Sequence, residues 1–149
     1  VMNGYHNDPA STAATIEPDG WLHSGDMASM DEHGYVTITG RLKEMIIRGG
    51  ENIYPREIEE FLFSCPAVKD VQVIGVPSEK YGEDVMAWII PHEGVALQAD
   101  AIQSFCRGQI AGFKVPKFVK FVDSFPTTVT GKVQKFIMRR MAMDEMGIA

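Results

Sequence analysis

The amino-acid sequence predicts an α+β fold, a small mixed β-sheet with a β-hairpin, flanked by helices. Two observations carry this. Apolar residues recur at period two in some stretches and at i, i+3, i+4 in others. The two kinds of stretch follow one another without the regular βαβ rhythm of a parallel-sheet protein.

Taken in order, the segment through Gly20 is rich in Asn, Asp, Pro, Ser, Thr and Ala, a loop composition with one short helix around residues 11–15. Asp31-Glu32-His33-Gly34 is a turn, and Tyr35-Val36-Thr37-Ile38-Thr39 alternates as a strand. Residues 44–48 form a second short strand. Gly49-Gly50-Glu51-Asn52 then turns the chain toward Ile53 and Tyr54, so that these segments read as a hairpin. Pro55 suits a first helical position, where its missing N–H is not needed. Ile58, Phe61 and Leu62 stripe one face of the helix that follows, which must stop before Pro66. Strands are predicted over 71–76 and 85–90. Ile102, Phe105, Cys106 and Ile110 stripe another helix, residues 118–122 alternate around Lys120, and 136–146 form a terminal helix with a Met-rich apolar side.

The chain has 149 residues, 45% hydrophobic and 23% charged, the balance of a globular protein with one sizeable core. Cys65 and Cys106 offer neither a disulfide framework nor paired-cysteine metal spacing, and read as reduced thiols of an intracellular protein. No apolar run approaches the ~20 residues of a membrane helix, and no signal peptide is expected at the start. An opening Val1 in place of methionine points to a piece of something longer. The net charge of −6 is unevenly spread. Residues 1–40 hold six acids and no Lys or Arg, whereas residues 107–149 hold eight basic and three acidic side chains. A basic end suits phosphates as well as plain solvation. With a pI of about 5.1 and no basic–aromatic interleaving, nucleic acid is a poor fit.

Three segments offer chemistry. Pro126-Thr127-Thr128-Val129-Thr130-Gly131-Lys132 lacks the spacing of a phosphate loop, because Pro126 stands where the first glycine belongs and Val133 where Ser or Thr belongs. What remains is one lysine on a hydroxyl-rich turn, either an ordinary surface residue or an ammonium that reaches charge developing on a phosphate or carboxylate. Gly20-Trp21-Leu22-His23-Ser24-Gly25-Asp26 sets His, Ser and Asp close together but has no nucleophile elbow. Its Asp26 fits either a turn or paired ribose hydroxyls. From Gly40-Arg41-Leu42-Lys43 through Arg48-Gly49-Gly50-Glu51-Asn52-Ile53-Tyr54-Pro55 and on to Glu57-Ile58-Glu59, paired glycines allow a ligand close to the backbone, or simply a tight hairpin. His6, His23, His33 and His92 show no metal-ligand spacing.

In this order and separation the segments resemble the adenylate-forming superfamily of acyl- and aryl-CoA synthetases, luciferase-like enzymes and peptide-synthetase adenylation domains, with the strongest likeness to AMP-forming fatty-acyl-CoA ligases. The likeness covers essentially the whole chain, from Gly4-Tyr5 with Asn7-Asp8-Pro9 through Gly131-Lys132. The run from Arg48 to Pro55 followed by Glu57-Ile58-Glu59 is specific for the CoA-ligase branch.

The resemblance implies the superfamily's C-terminal domain fold and a two-step reaction. A carboxylate attacks the α-phosphate of ATP to give an acyl-adenylate and pyrophosphate, and the thiol of CoA then displaces AMP. It implies that Asp26 holds the ribose hydroxyls, that Arg41 contacts the nucleotide, and that Lys132 bridges carboxylate and α-phosphate oxygens. It makes Lys43 the hinge of a domain swing that brings Gly49 and Gly50 to the CoA channel. Charge alone adds Lys114 and Lys117 as partners for CoA phosphates. Residues 1–40 would be the last piece of a large N-terminal domain, 41–149 the mobile C-terminal domain, with the hinge at 41–43. The phosphate-binding loop, the adenine site and most of the Mg2+ site would lie in the missing large domain, so the chain alone is expected to be inactive. His23-Ser24 stands where relatives carry Arg-Thr, which removes a basic group beside Asp26. The expected location is cytoplasmic, with room for peripheral membrane association. The alternatives are an aryl-acid or luciferase-like parent, a non-catalytic binding module of the same fold, and a phosphate- or nucleic-acid-binding module built on the basic tail.

Overall fold

The computed structural model describes residues 1–148. The chain divides into two compact units, Val1–Lys43 and Glu44–Ala149.

In the first unit, helix α1 (Pro9–Thr15) starts where Asp8 accepts hydrogen bonds from the Ser11 amide at 2.9 Å and the Ser11 hydroxyl at 2.7 Å, with Pro9 in the first turn. The Ser11 amide bond is the main reason the Asp8 carboxyl lies below its ordinary range. Strands β1 (Asp26–Met30) and β2 (Val36–Arg41) form an antiparallel ribbon. At its tip the Asp31 carboxylate accepts from the amides of His33 and Tyr35, both at 2.9 Å. The strand expected over 35–39 is there within β2, and Met30, Tyr35, Val36 and Ile38 of the ribbon are all exposed.

The second unit holds β3 (Ile46–Arg48), β4 (Glu51–Ile53), α2 (Pro55–Phe63), β5 (Val68–Ser78), β6 (Gly82–Pro91), α3 (Ala99–Cys106), β7 (Phe118–Phe121) and α4 (Lys135–Met146). Its sheet runs β4-β3-β6-β5, and β7 also pairs with β6, in parallel. Strand β5 lies antiparallel along one edge of β6. The other edge is shared: β3 meets it at Arg48↔Gly82, and β7 from Met86↔Phe118 to Ile89↔Phe121. Helices α2 and α3 cover one face, where Ile58, Leu62, Ile102 and Cys106 close over Val71, Val73, Val85, Ala87 and Ile89. Helix α4 covers the other, with Met138 and Ala142 against Ile74, Val76, Met86 and Trp88. Burial on both faces explains why β5 and β6 carry continuous apolar runs. The α+β class expected from the sequence is the one observed.

Three local expectations change. Glu44 belongs to a 3-10 turn over Leu42–Glu44, so the strand begins only at Ile46. The four-residue turn shrinks to Gly49-Gly50, with φ of 60° and 89°. Two consecutive left-handed residues make the tight hairpin turn that only such a pair tolerates readily, and Glu51 and Asn52 are thereby freed to pair with Arg48 and Ile47. Helix α3 stops at Cys106, because Gly108 takes φ 76° and turns the chain; Ile110 packs on the core from beyond the helix.

Candidate functional site

In the first unit, the β1–β2 register sets Asp26 opposite Arg41, with Arg41 Nε 3.3 Å from Asp26 Oδ1. Both side chains are partly exposed. An ion pair of this kind adds about 0–1 kcal/mol to stability, so the fold does not depend on it and its polar atoms remain accessible. The Asp26 amide donates to the Ser24 hydroxyl at 3.1 Å. His23 bonds instead to Glu17, Nε2 to Oε1 at 2.7 Å, so no His-Ser relay is assembled. Lys43 lies in the 3-10 turn, as the last residue of the first unit.

The second unit carries the remaining candidates on separate loops. The Gly49 amide donates to the Tyr81 carbonyl at 2.8 Å, and a Cβ on Gly49 would stand 3.2 Å from the Tyr81 ring. A Cβ on Gly50 would meet nothing within 4 Å, so this side of the turn is open backbone. Lys114 is engaged with Glu57 at 2.6 Å, and Lys117 with Asp84 at 2.6 Å. Lys132 lies on the loop between β7 and α4. That loop is tied by Thr128 and Lys132, whose main chains bond at 2.8 Å, while the Lys132 amide reaches the Thr128 hydroxyl at 3.1 Å. Gly131 turns it with φ 83°. Among the described residues no carboxylate lies within 4 Å of the Lys132 ammonium. Its backbone is ordered by its own loop.

The family described as AMP-binding enzyme C-terminal domain matches residues 57–132, about half of the chain. The chain belongs to this family. YngI of Bacillus subtilis, which carries the name of an acyl-CoA synthetase, is 51% identical over 100% of the chain and 27% of its own length. The bovine mitochondrial medium-chain acyl-CoA ligase ACSF2 is 45% identical over 99% of the chain and 24% of its own length. The chain thus spans about a quarter of the length of these curated relatives. Among solved structures, ATP-bound MatB from Rhodopseudomonas palustris matches with a TM-score of 0.92 at 39% identity, covering 97% of this chain and 29% of MatB. The apo form of MatB matches the same share of the chain with a TM-score of only 0.72.

The family match takes in Lys114 and Lys132, whereas Asp26, Arg41, Lys43, Gly49 and Gly50 precede it. Sequence reasoning overlooked the most buried charge of this AMP-binding C-terminal domain. Asp84 is 1% exposed and accepts from Arg48 Nε at 2.8 Å and from Lys117 Nζ at 2.6 Å. Burial pushes its carboxyl up, but hydrogen bonds from Lys117, Ser78 and Arg48 outweigh that and leave it below the ordinary range. The Arg48 guanidinium also stacks 4.3 Å above the Tyr81 ring. One signal was present: an acid directly before the apolar run Val85–Ile90 has to be paired if it is buried. Among the described residues no group of three or more His, Cys, Asp or Glu is arranged to hold a metal ion, and no helix is long and apolar enough to cross a membrane.

Proposed function

We propose that this chain is the C-terminal part of an AMP-forming acid–CoA ligase that activates a carboxylic acid, most simply a fatty acid, with ATP and passes it to CoA. The first 40 residues close a large N-terminal domain, and residues 41–149 are the mobile domain, hinged at 41–43. The observation that carries this is Lys132: a cation with no carboxylate partner among the described residues, on a loop tied by hydrogen bonds to Thr128, in a chain that belongs to the AMP-binding C-terminal domain family. In the adenylation step its ammonium neutralises charge that grows as carboxylate oxygen meets α-phosphate. Asp26 accepts from the ribose hydroxyls and Arg41 stands beside the nucleotide. Gly49 and Gly50 then line the path of the CoA thiol, with Lys114 toward the CoA phosphates once it leaves Glu57. Names of relatives support the acid–CoA chemistry. Mg2+ accompanies ATP and is held mainly by the large domain. The proposed location is cytoplasmic.

The test is a pyrophosphate-release assay on the full-length protein with ATP, Mg2+ and a panel of fatty and aryl acids, followed by thioester detection after CoA is added. Release with fatty acids and thioester formation support the reading. Release confined to aryl acids moves the substrate class, and no release with any acid removes the enzyme reading in favour of a binding module. The isolated 149-residue chain should release none.

A further inference from the structure

Strand β3 is only three residues long and shares a single residue pair with β6, Arg48↔Gly82. The hairpin that carries Gly49 and Gly50 is therefore weakly tied to the sheet through its backbone. Two consecutive acids at the start of β6 supply what the ladder lacks. Glu83 Oε2 accepts from the Ile47 amide at 2.8 Å, and Asp84 Oδ1 accepts from Arg48 Nε at 2.8 Å. Each acid is itself held from another element. Glu83 Oε1 is gripped by Arg139 of α4, which also donates to the Gly75 carbonyl at 2.9 Å. Asp84 Oδ2 accepts from Lys117, just ahead of β7. Asp84 thus sits at the seam where one edge of β6 passes from β3 to β7. The Tyr81 ring under Arg48 and the Tyr81 carbonyl on the Gly49 amide complete the support.

We infer that Glu83 and Asp84 are positioning residues that clamp the Gly49-Gly50 turn, and that the turn works in the thioester half-reaction only when so clamped. This rests on the acid–CoA ligase reading for its second half and on geometry alone for its first. A buried carboxylate shared by two cations and aimed at a short edge hairpin is costly as a plain stabiliser, since apolar residues would fill the same volume as well or better. Its use is in fixing one arrangement. Displacing a reacting partner's support by about an ångström can cost on the order of a hundredfold in rate.

The experiment pairs two readouts on the full-length protein carrying Asp84→Asn or Glu83→Gln. Amide hydrogen exchange at 47–52 should speed up at least about tenfold while β5 is unchanged. Thioester formation from supplied acyl-adenylate should fall about tenfold to a hundredfold with a raised KM for CoA, while pyrophosphate release in the first step holds. Arg48→Met keeps the Lys117–Asp84 pair, leaves no buried carboxylate alone, and should give the same split; it decides the matter if Asp84→Asn does not fold. Unchanged exchange at 47–52 overturns the clamp. Faster exchange with normal thioester formation, or equal loss in both half-reactions, overturns the positioning role. A wild-type protein that performs neither half-reaction overturns the ligase reading and the thioester role with it, and exchange alone then decides the clamp.

Discussion

Asp26 and Arg41 face each other across the β1–β2 ribbon, carboxylate to guanidinium at 3.3 Å, on a pair of strands with little buried surface. Nothing in the core depends on them. Asp26→Ala or Arg41→Leu should therefore leave the thermal stability of the 149-residue chain within about 1 kcal/mol of wild type. In the full-length protein the same changes should raise the KM for ATP about tenfold or more, because hydrogen bonds to a charged partner contribute about 1.5–3 kcal/mol each. Calorimetry beside adenylation kinetics checks both halves. A large drop in stability with an unchanged KM would assign the pair to structure.

Lys132 should separate the two half-reactions. Lys132→Ala removes an ammonium that has no carboxylate partner among the described residues, so folding is unaffected. Pyrophosphate release should drop about a hundredfold to a thousandfold, the scale of one lost electrostatic contact to a transition state. Thioester formation from supplied acyl-adenylate should be spared. Equal loss in both steps contradicts the role.

Lys43 tests the hinge. Proline at this position locks φ near −65° and removes an amide, which restricts rotation of the chain there. Lys43→Pro should leave pyrophosphate release near wild type and slow thioester formation, the reverse of Lys132→Ala. Normal thioester formation by this variant would move the hinge elsewhere.

Apart from β2, the elements that periodicity exposed were those packed on a core. Ile58 and Leu62, or Val85 through Ile89, must face inward, and that obligation is written locally. The Gly49-Gly50 turn was legible too, though not its tightness, since the pairing of Glu51 and Asn52 depends on a partner strand. Asp26 and Arg41 are fifteen positions apart, and only the ribbon register makes them neighbours. Asp84 was missed for a similar reason. Its partners Arg48 and Lys117 come from either side of the chain, 36 and 33 residues away, so no local spacing announces them. Charge alone pointed Lys114 to CoA phosphates because its partner Glu57 is more distant still, 57 positions upstream.

Acid stability should report Asp84. Its carboxyl lies below the ordinary range in the fold, despite burial, because Lys117, Ser78 and Arg48 hold the ionised form. A group whose folded pKa is depressed stabilises the fold above its unfolded pKa of about 3.9, and that share is lost as pH falls through the folded value. Asp84→Asn should therefore be less stable than wild type at neutral pH, by about 1–3 kcal/mol. The gap should narrow steadily below about pH 4. Denaturant melts across that range check this, and a gap that stays constant with pH would assign the loss to packing.

Cys106 should be chemically silent in the folded protein. Burial, with a smaller contribution from Cys65, pushes its thiol up to about 11, and both cysteines lie in the core under α2 and α3. Only the thiolate is nucleophilic, and at pH 8 a thiol of that pKa is ionised to roughly one part in a thousand. Alkylation of the native protein at pH 8 should therefore run at least about a hundredfold slower than in denaturant, where a thiol pKa of about 8.5 returns. Peptide mapping of the alkylated site measures it. Cys106→Ala should cost only the small cavity, about 1 kcal/mol, whereas Cys106→Ser adds a buried hydroxyl with a further penalty of about 1–3 kcal/mol unless it finds a carbonyl. Rapid native labelling would show that water reaches the space between α2 and α3.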